Sequence, residues 1–394
     1  MKKNLYFFAI LILIFTLSSC KKKSNEKNDI SSDSGNNITD KDDSSLDGEN
    51  KALEYRVNTS STLDTYVIEM VKQFGDSIYI KSGDFDMLID AGQYEDGVNV
   101  NSMLKAYCTD SKLDVLIATH GHADHLGGFE GGALDSIENI GLIIDFGYID
   151  NGCRGYQNER KKYLNLGADY FSAYDCVNGL NNSSSTFIFS DDLKLDVINT
   201  NQYAKTNKAL TNAQYQAEND FSVVVKLTFK NNTYLFTGDL AGALDDKFTK
   251  ALMNQDLKDI TVYKAAHHGA SSNNSNNSKL LNYLNPKICV SSSAIVDQYK
   301  PCDFLDAYGE MSYQHPRPAF VRWILNTPNI KKSNQYYYNG TMGTIHLNDN
   351  GIDVPSVEGL GATKGYYNSN GIKVTGEENM VFSETQMYKD YYLQ

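Results

Sequence analysis

Only seven histidines occur in this 394-residue chain, and five of them fall in two clusters, each directly behind an apolar run. His120-Gly121-His122-Ala123-Asp124-His125 follows Leu113-Asp114-Val115-Leu116-Ile117-Ala118, and His267-His268 follows Ile260 to Lys264. The first of those runs is nearly all apolar, as a strand buried on both faces of a sheet would be. Chains turn at strand ends, and sites form there. Histidines scattered by chance would not gather at such ends, so the fold must bury these strands and turn the chain immediately after them.

The surrounding pattern agrees with a body made of strands and helices. Tyr66 to Val71, Ser77 to Lys81 and Phe85 to Asp90 read as strands, and Val98 to Tyr107 as a helix. Gly141 to Asp145 is a further short strand, and Tyr156 to Leu166 a charged helix. Phe221 to Lys230 and Thr233 to Thr237, joined by Asn231-Asn232, predict a hairpin. Gly242 to Met253 reads as a helix, Lys287 to Ser291 as a strand and Pro318 to Asn326 as a helix. Tyr336 to Tyr338 with Thr344 to Leu347 suggests a closing hairpin. Strands mixed with helices in this way imply two sheets with helices outside them. Thr200 to Asn219 is polar and is expected to be a loop bordering the site.

The ends of the chain differ from the body. Met1-Lys2-Lys3 and the apolar stretch Leu5 to Leu17 have the form of a signal peptide, too short to span a bilayer. Leu17-Ser18-Ser19-Cys20 resembles a bacterial lipobox, which implies cleavage before Cys20, lipidation of its thiol, export and membrane anchoring. Residues 21–52 carry almost no large apolar side chains and are expected to be a disordered tether. Residues 53–350 then form the folded domain, and 351–394, rich in Gly, Asn and Tyr, an extension whose role the sequence does not reveal. Losing residues 1–20 removes two lysines and no acids, taking the formal charge from −13 to −15. Phosphate neutralisation drives most non-specific nucleic-acid affinity, so such an acidic body argues against extended nucleic-acid binding. Export makes disulfides possible; Cys153–Cys176 and Cys289–Cys302 are the pairs nearest in sequence.

Imidazole and carboxylate together suit zinc, iron and manganese. Gly121 and Ala123 let the backbone turn tightly enough for several donors to converge, and Gly127-Gly128 is expected to end the loop. His-x-His-x-Asp-His behind a buried strand resembles the metallo-β-lactamase superfamily, which implies an α/β fold, the αββα sandwich, and two divalent metal ions, zinc first among them with manganese and iron as alternatives. By that resemblance His120 and His122 serve the first metal, while Asp124 and His125 serve the second. Asp239, closing Leu235-Phe236-Thr237-Gly238-Asp239, would bridge them. One of His267 and His268 would complete the second metal, with His267 preferred. Asp90 would orient a ligand histidine from behind. One departure stands out: where the family usually offers a further histidine to the first metal, this chain reads Glu218-Asn219-Asp220-Phe221-Ser222. Either Asp220 or Asn219 substitutes, or that metal is weakly held.

Several motifs point to a subgroup. Gln73-Phe74-Gly75-Asp76-Ser77-Ile78, Asn219-Asp220-Phe221-Ser222-Val223, His267-His268-Gly269, Tyr313-Gln314-His315-Pro316 and Gly340 to Ile345 resemble the ComEC-like hydrolases. Cell-surface phosphorylcholine esterases are similar over the same region. The implied activity is hydrolysis of a phosphodiester substrate, with Asp124, His268 and His315 as catalytic candidates and His346 as a structural residue. The competing expectations are hydrolysis of a β-lactam, lactone or thioester, and a non-catalytic surface module that keeps the fold for binding.

Overall fold

The computed structural model describes residues 51–72, 74–150, 152–295, 315–368 and 370–393. The expected signal peptide with Cys20, nearly all of the expected tether, Cys302 and Tyr313-Gln314 lie outside the described residues. Among the described residues no helix is long and apolar enough to cross a membrane.

In chain order the strands are β1 (Leu53–Glu54), β2 (Leu63–Val67), β3 (Ile78–Ser82), β4 (Phe85–Ile89), β5 (Lys112–Ala118), β6 (Asn139–Asp145), β7 (Asp169–Ser172) and β8 (Thr186–Ile188). They continue with β9 (Leu193–Val197), β10 (Val225–Phe229), β11 (Asn232–Phe236), β12 (Val262–Lys264), β13 (Ile288–Ser291), β14 (Tyr336–Tyr338), β15 (Ile345–Asp349) and β16 (Ser356–Gly359). Two eight-stranded mixed sheets result, one ordered β16-β15-β2-β3-β4-β5-β6-β7 and the other β1-β8-β9-β10-β11-β12-β13-β14.

Strand alternation explains how the sheets stack. In β11, Tyr234 and Phe236 join the core shared by the two sheets, while Leu235 faces a second cluster. Ile288 and Val290 of β13 likewise join the first cluster and Cys289 the second. That second cluster is filled from outside by helices Ser278–Leu284 and Pro318–Leu325 through Leu280, Leu281, Leu284, Phe320 and Ile324. Helices Gly97–Tyr107, Ala123–Glu130 and Arg154–Asn165 contribute Val100, Leu104, Leu126, Phe129 and Tyr156 to the first cluster. The chain is therefore an α/β protein with two mixed sheets and helices against them.

Parallel pairing places the site. β4, β5, β6 and β7 are parallel neighbours, as are β11, β12, β13 and β14. Polar loops follow the carboxyl ends of these strands, the usual ligand-binding edge of a parallel sheet. Asp90 follows β4, His120 follows β5, Asp239 follows β11, His267 follows β12 and Ser292 follows β13.

Several local expectations change. Tyr336–Tyr338 and Ile345–Asp349 form no hairpin: β14 pairs with β13 in one sheet and β15 with β2 in the other. Between them Asn339 ties the sheets, accepting from the Ser293 amide at 2.9 Å and donating to the Ile68 carbonyl at 3.1 Å. The β10–β11 turn is Lys230-Asn231, one residue earlier than Asn231-Asn232, because Phe229 pairs with Asn232. Asn232 is buried and donates to the Asp349 carboxylate at 2.8 Å, which holds it inside the strand. The helix expected from Gly242 is only Lys247–Met253, since the amides of Ala243 and Leu244 bond to Asp220 rather than to helical carbonyls. Cys153 and Cys176 are both free thiols. Cys153 instead donates to the Gly121 carbonyl. Past residue 350, β16 extends the first sheet, and Tyr392 donates to the Pro316 carbonyl at 2.7 Å, beside His315.

Candidate metal centre

The first histidine cluster spans a loop and the first turn of a helix. His122 is the extended N-cap residue of helix Ala123–Glu130, so Asp124 and His125 stand in its first turn, where a carboxylate is favoured. Gly127 and Gly128 do not end a loop; both are helical. A Cβ on Gly128 would lie 1.9 Å from the Ala91 carbonyl oxygen, so glycine is needed for close approach to the loop after β4. That packing brings Asp90 beside His125.

Asp90 is fully buried with φ of 56°. Its carboxylate accepts from the Thr119 amide at 2.8 Å and hydroxyl at 2.7 Å, and lies 2.7 Å from Nδ1 of His125. With Nδ1 directed at Asp90, His125 turns its Nε2 toward Asp239 Oδ1 at 3.1 Å and Asp124 Oδ2 at 3.8 Å. His268 is arranged the same way. Its Nδ1 lies 3.1 Å from the Ser292 carbonyl and 3.3 Å from Asp76 Oδ1. Its Nε2 lies 3.2 Å from Asp124 Oδ2 and 3.3 Å from Asp239 Oδ2. Asp76 is in turn fixed by Lys264 Nζ at 2.6 Å and by the Ser292 hydroxyl, all of them buried.

Asp124 and Asp239 each approach Nε2 of both His125 and His268, with nitrogen–oxygen separations of 3.1 to 3.8 Å. Tetrahedral zinc with bonds of about 2.0–2.2 Å sets its donors roughly 3.3–3.6 Å apart, so this donor set fits a zinc-sized divalent cation. Asp76, His125, Asp239 and His268 also form a compact group that could hold a metal. Asp76, however, faces the protonated Nδ1 side of His268 and is bound to Lys264, which makes it the partner behind a ligand. The structure brings His268, rather than the preferred His267, into the ring, because the left-handed backbone at both residues aims the two rings apart. His268 thus stands among the residues that could hold a metal ion.

The electrostatics match a cation-binding cavity. Burial disfavours the charged form of His125 and His268, but Asp239 together with Asp90 and Asp76 outweighs it and holds both well above the ordinary histidine range. His120 is pushed well below that range by burial and by its histidine neighbours. Burial likewise pushes His267 down to about 4. His120 Nε2 and Asp239 Oδ1 are buried and have no hydrogen-bond partner among the described residues. Such atoms are costly to bury unless something occupies the space between them.

His122, the most exposed of the cluster, has Nε2 3.5 Å from Glu218 Oε2. Glu218 is buried and accepts from the Tyr148 hydroxyl, which itself accepts from the Gly121 amide at 2.9 Å. His315 is buried with its ring centre 5.5 Å from that of His267 and 5.7 Å from that of His268. Asp220 does not join the cluster. Its two oxygens accept from the amides of Ala243 at 2.9 Å and Leu244 at 2.8 Å, shaping the loop after Asp239. His346 lies apart, between Asp64 at 2.8 Å and Glu358 at 2.9 Å. Sequence reasoning gave no role to Lys264, Glu218 or Ser292, and quoted Asp76 only within a motif. An acid in Gly75-Asp76-Ser77 just before β3 and a lysine closing an apolar strand were the available signals.

The metallo-beta-lactamase superfamily model matches residues 71–291, more than half of the chain. The chain belongs to the metallo-beta-lactamase superfamily, whose members are generally hydrolases. Comparison with curated proteins gives no match. Among solved structures, the metallo-beta-lactamase fold protein YhfI from Bacillus subtilis is 14% identical, covering 58% of this chain and 84% of its own with a TM-score of 0.35. Human tRNase Z, short form, is 13% identical over 58% of this chain and 92% of its own, TM-score 0.34. A diphosphatase from the PhnP family is 12% identical over 58% of this chain and 85% of its own, TM-score 0.32.

Proposed function

We propose that this protein is an exported, lipid-anchored metal-dependent phosphodiesterase of the ComEC-like type. The observation that supports the reading is the approach of Asp124 and Asp239 to Nε2 of both His125 and His268, with the rings of His120 and His122 alongside. Two divalent cations held by these residues, zinc by donor type, would supply Lewis acidity and a more acidic bound water. The chain's own groups do the rest. Asp90 and Asp76 fix the tautomer and aim of His125 and His268, so their lone pairs are presented without reorganisation. Asp124 and Asp239 supply negative charge to offset the cations. His315, whose ring lies beside those of His267 and His268, is the candidate to hydrogen-bond a phosphoryl or leaving-group oxygen.

The phosphodiester class is favoured by the motifs that resemble the ComEC-like hydrolases, among them Asn219 to Val223 and His267-His268-Gly269. The leader ending in Leu17-Ser18-Ser19-Cys20 supports an envelope location, where a nucleotide or a choline- or glycerol-phosphate polymer would be met. The test is hydrolysis of bis-p-nitrophenyl phosphate, p-nitrophenyl phosphorylcholine and a chromogenic β-lactam by the purified protein with added zinc or manganese. Metal-dependent turnover of either phosphodiester, abolished in Asp124→Ala, is expected. Turnover of the β-lactam alone, or phosphodiester turnover that survives in Asp124→Ala, would overturn the reading.

A further inference from the structure

Residues 351–394, to which the sequence assigns no role, pack against β14 close to the site. Phe382 is fully buried, and its ring centre lies 5.3 Å from that of Tyr336, 5.6 Å from Tyr338, 5.8 Å from Tyr388 and 5.1 Å from Tyr392. Tyr336 and Tyr338 belong to β14, whereas Tyr388 lies in helix Gln386–Tyr391 and Tyr392 caps it. The start of that helix is pinned. The Gln386 amide donates to the Glu377 carboxylate at 2.7 Å, and the Met387 amide to the Tyr366 hydroxyl at 2.7 Å. Edge-to-face aromatic contacts of this kind hold the helix end in one place on the sheet.

Two hydroxyls reach from this cluster to consecutive carbonyls beside the site. The Tyr392 hydroxyl donates to the Pro316 carbonyl at 2.7 Å. The Ser293 hydroxyl lies 3.0 Å from that of Tyr338 and donates to the His315 carbonyl at 3.2 Å. From the other side, the Arg317 amide donates at 2.9 Å to the carbonyl of Gly269, the residue directly after His267-His268. A Cβ on Gly269 would lie 2.9 Å from Pro316 Cβ, so the two turns touch. Three successive residues are thus held by their backbone atoms. A fixed backbone spares the His315 ring the ordering cost that a free loop would meet on binding substrate.

We propose that the C-terminal extension braces the His315 turn, with Tyr392 as a positioning residue that acts through the Pro316 carbonyl to keep the His315 ring beside those of His267 and His268. The inference rests on the reading of His315 as the group that meets a phosphoryl or leaving-group oxygen. Tyr392 acts at one remove, since its hydroxyl meets a backbone carbonyl while the His315 ring lies beside the histidine pair. Y392F removes only that O–H and leaves the ring packed against Phe382 and Tyr388.

The test compares the full chain as wild type, Y392F, H315A and the H315A/Y392F double variant. In metal-free protein with isotope-labelled histidine, the ring NMR signal lost in H315A belongs to His315. Y392F should shift or broaden that signal and leave the signal of His346, which lies apart between Asp64 and Glu358, in place. In zinc-loaded protein, Y392F should lower kcat for bis-p-nitrophenyl phosphate about 2–10-fold, the factor one hydrogen bond is worth, with zinc uptake unchanged. In the H315A background the same change should alter the residual turnover by less than about twofold, because nothing is left for Tyr392 to position. An unmoved His315 signal in Y392F, or a loss of kcat equally large with and without His315, overturns the brace. A shifted His315 signal in a protein that turns over no phosphodiester would overturn the proposed function and leave the brace standing.

Discussion

Replacing Asp76 by asparagine would remove one charge from the buried Asp76–Lys264 pair and leave the shape of the site nearly unchanged. Lys264 Nζ lies 2.6 Å from Asp76 Oδ2, and both side chains are only 2% exposed, so no water replaces the lost carboxylate. Removing one partner of a buried pair costs about 3–5 kcal/mol, because the remaining charge is left uncompensated. Asp76→Asn should therefore lower the free energy of unfolding by that amount in urea denaturation of the metal-free protein. Asp76 also supports His268, and loss of such a partner weakens metal binding about 10–100-fold. The two effects separate in the double variant Asp76→Asn/Lys264→Met. An apolar side chain of similar length then takes the place of the stranded ammonium, and most of the stability should return. Metal affinity should stay low, because His268 still lacks its carboxylate. If Asp76→Asn changes stability by less than about 0.5 kcal/mol, the range of an ordinary surface change, the reasoning fails. Recovery of metal affinity along with stability in the double variant would refute the orienting role.

Gly128→Ala places a Cβ 1.9 Å from the Ala91 carbonyl oxygen, so helix Ala123–Glu130 must shift. A thermal scan should show a loss of about 1–3 kcal/mol, with metal affinity falling too because Asp124 and His125 ride on that helix. Burial opposes the charge on His346, but its hydrogen bonds to Asp64 and Glu358 prevail and raise its pKa above the ordinary value. That link between β15, β2 and β16 is fully present below the unfolded pKa of about 6.5 and is lost as pH rises through the folded pKa. Denaturation from pH 5 upward should show this decline in wild type and not in His346→Gln; equal slopes would contradict it. Chelating the metal should destabilise the protein by about 2.7 kcal/mol relative to protein with free zinc at a hundred times Kd, measured as a lowered unfolding midpoint.

Much of the architecture and the members of the site could be read directly. Buried apolar runs ending in histidines placed β5 and β12 and the edge at which the site lies, because hydrophobic periodicity and donor chemistry are local properties of the chain. Strands β7 and β8 left little trace, since Asp169–Ser172 is a half-exposed edge strand and Thr186–Ile188 is only three residues long. Leu193–Val197 of β9, by contrast, does alternate buried and more exposed positions and carried a local signal. The separation of β14 from β15 was equally hidden, because strand pairing is decided by which sheet each segment completes.

What the sequence by itself determined was the inventory: His-x-His-x-Asp-His, Gly238-Asp239, the His267-His268 pair and an early acid at Asp90. Only the tertiary structure decided how those donors are divided. Asp76 and Lys264 are 188 residues apart and meet only when the two sheets stack. The choice between His267 and His268 turns on two left-handed backbone angles after β12. Asp220 was drawn away by the amides of Ala243 and Leu244, while its neighbour Asn219 lies against His267. Ligand identity depends on distances of a few ångströms between remote segments, and such distances exist only once the core has packed.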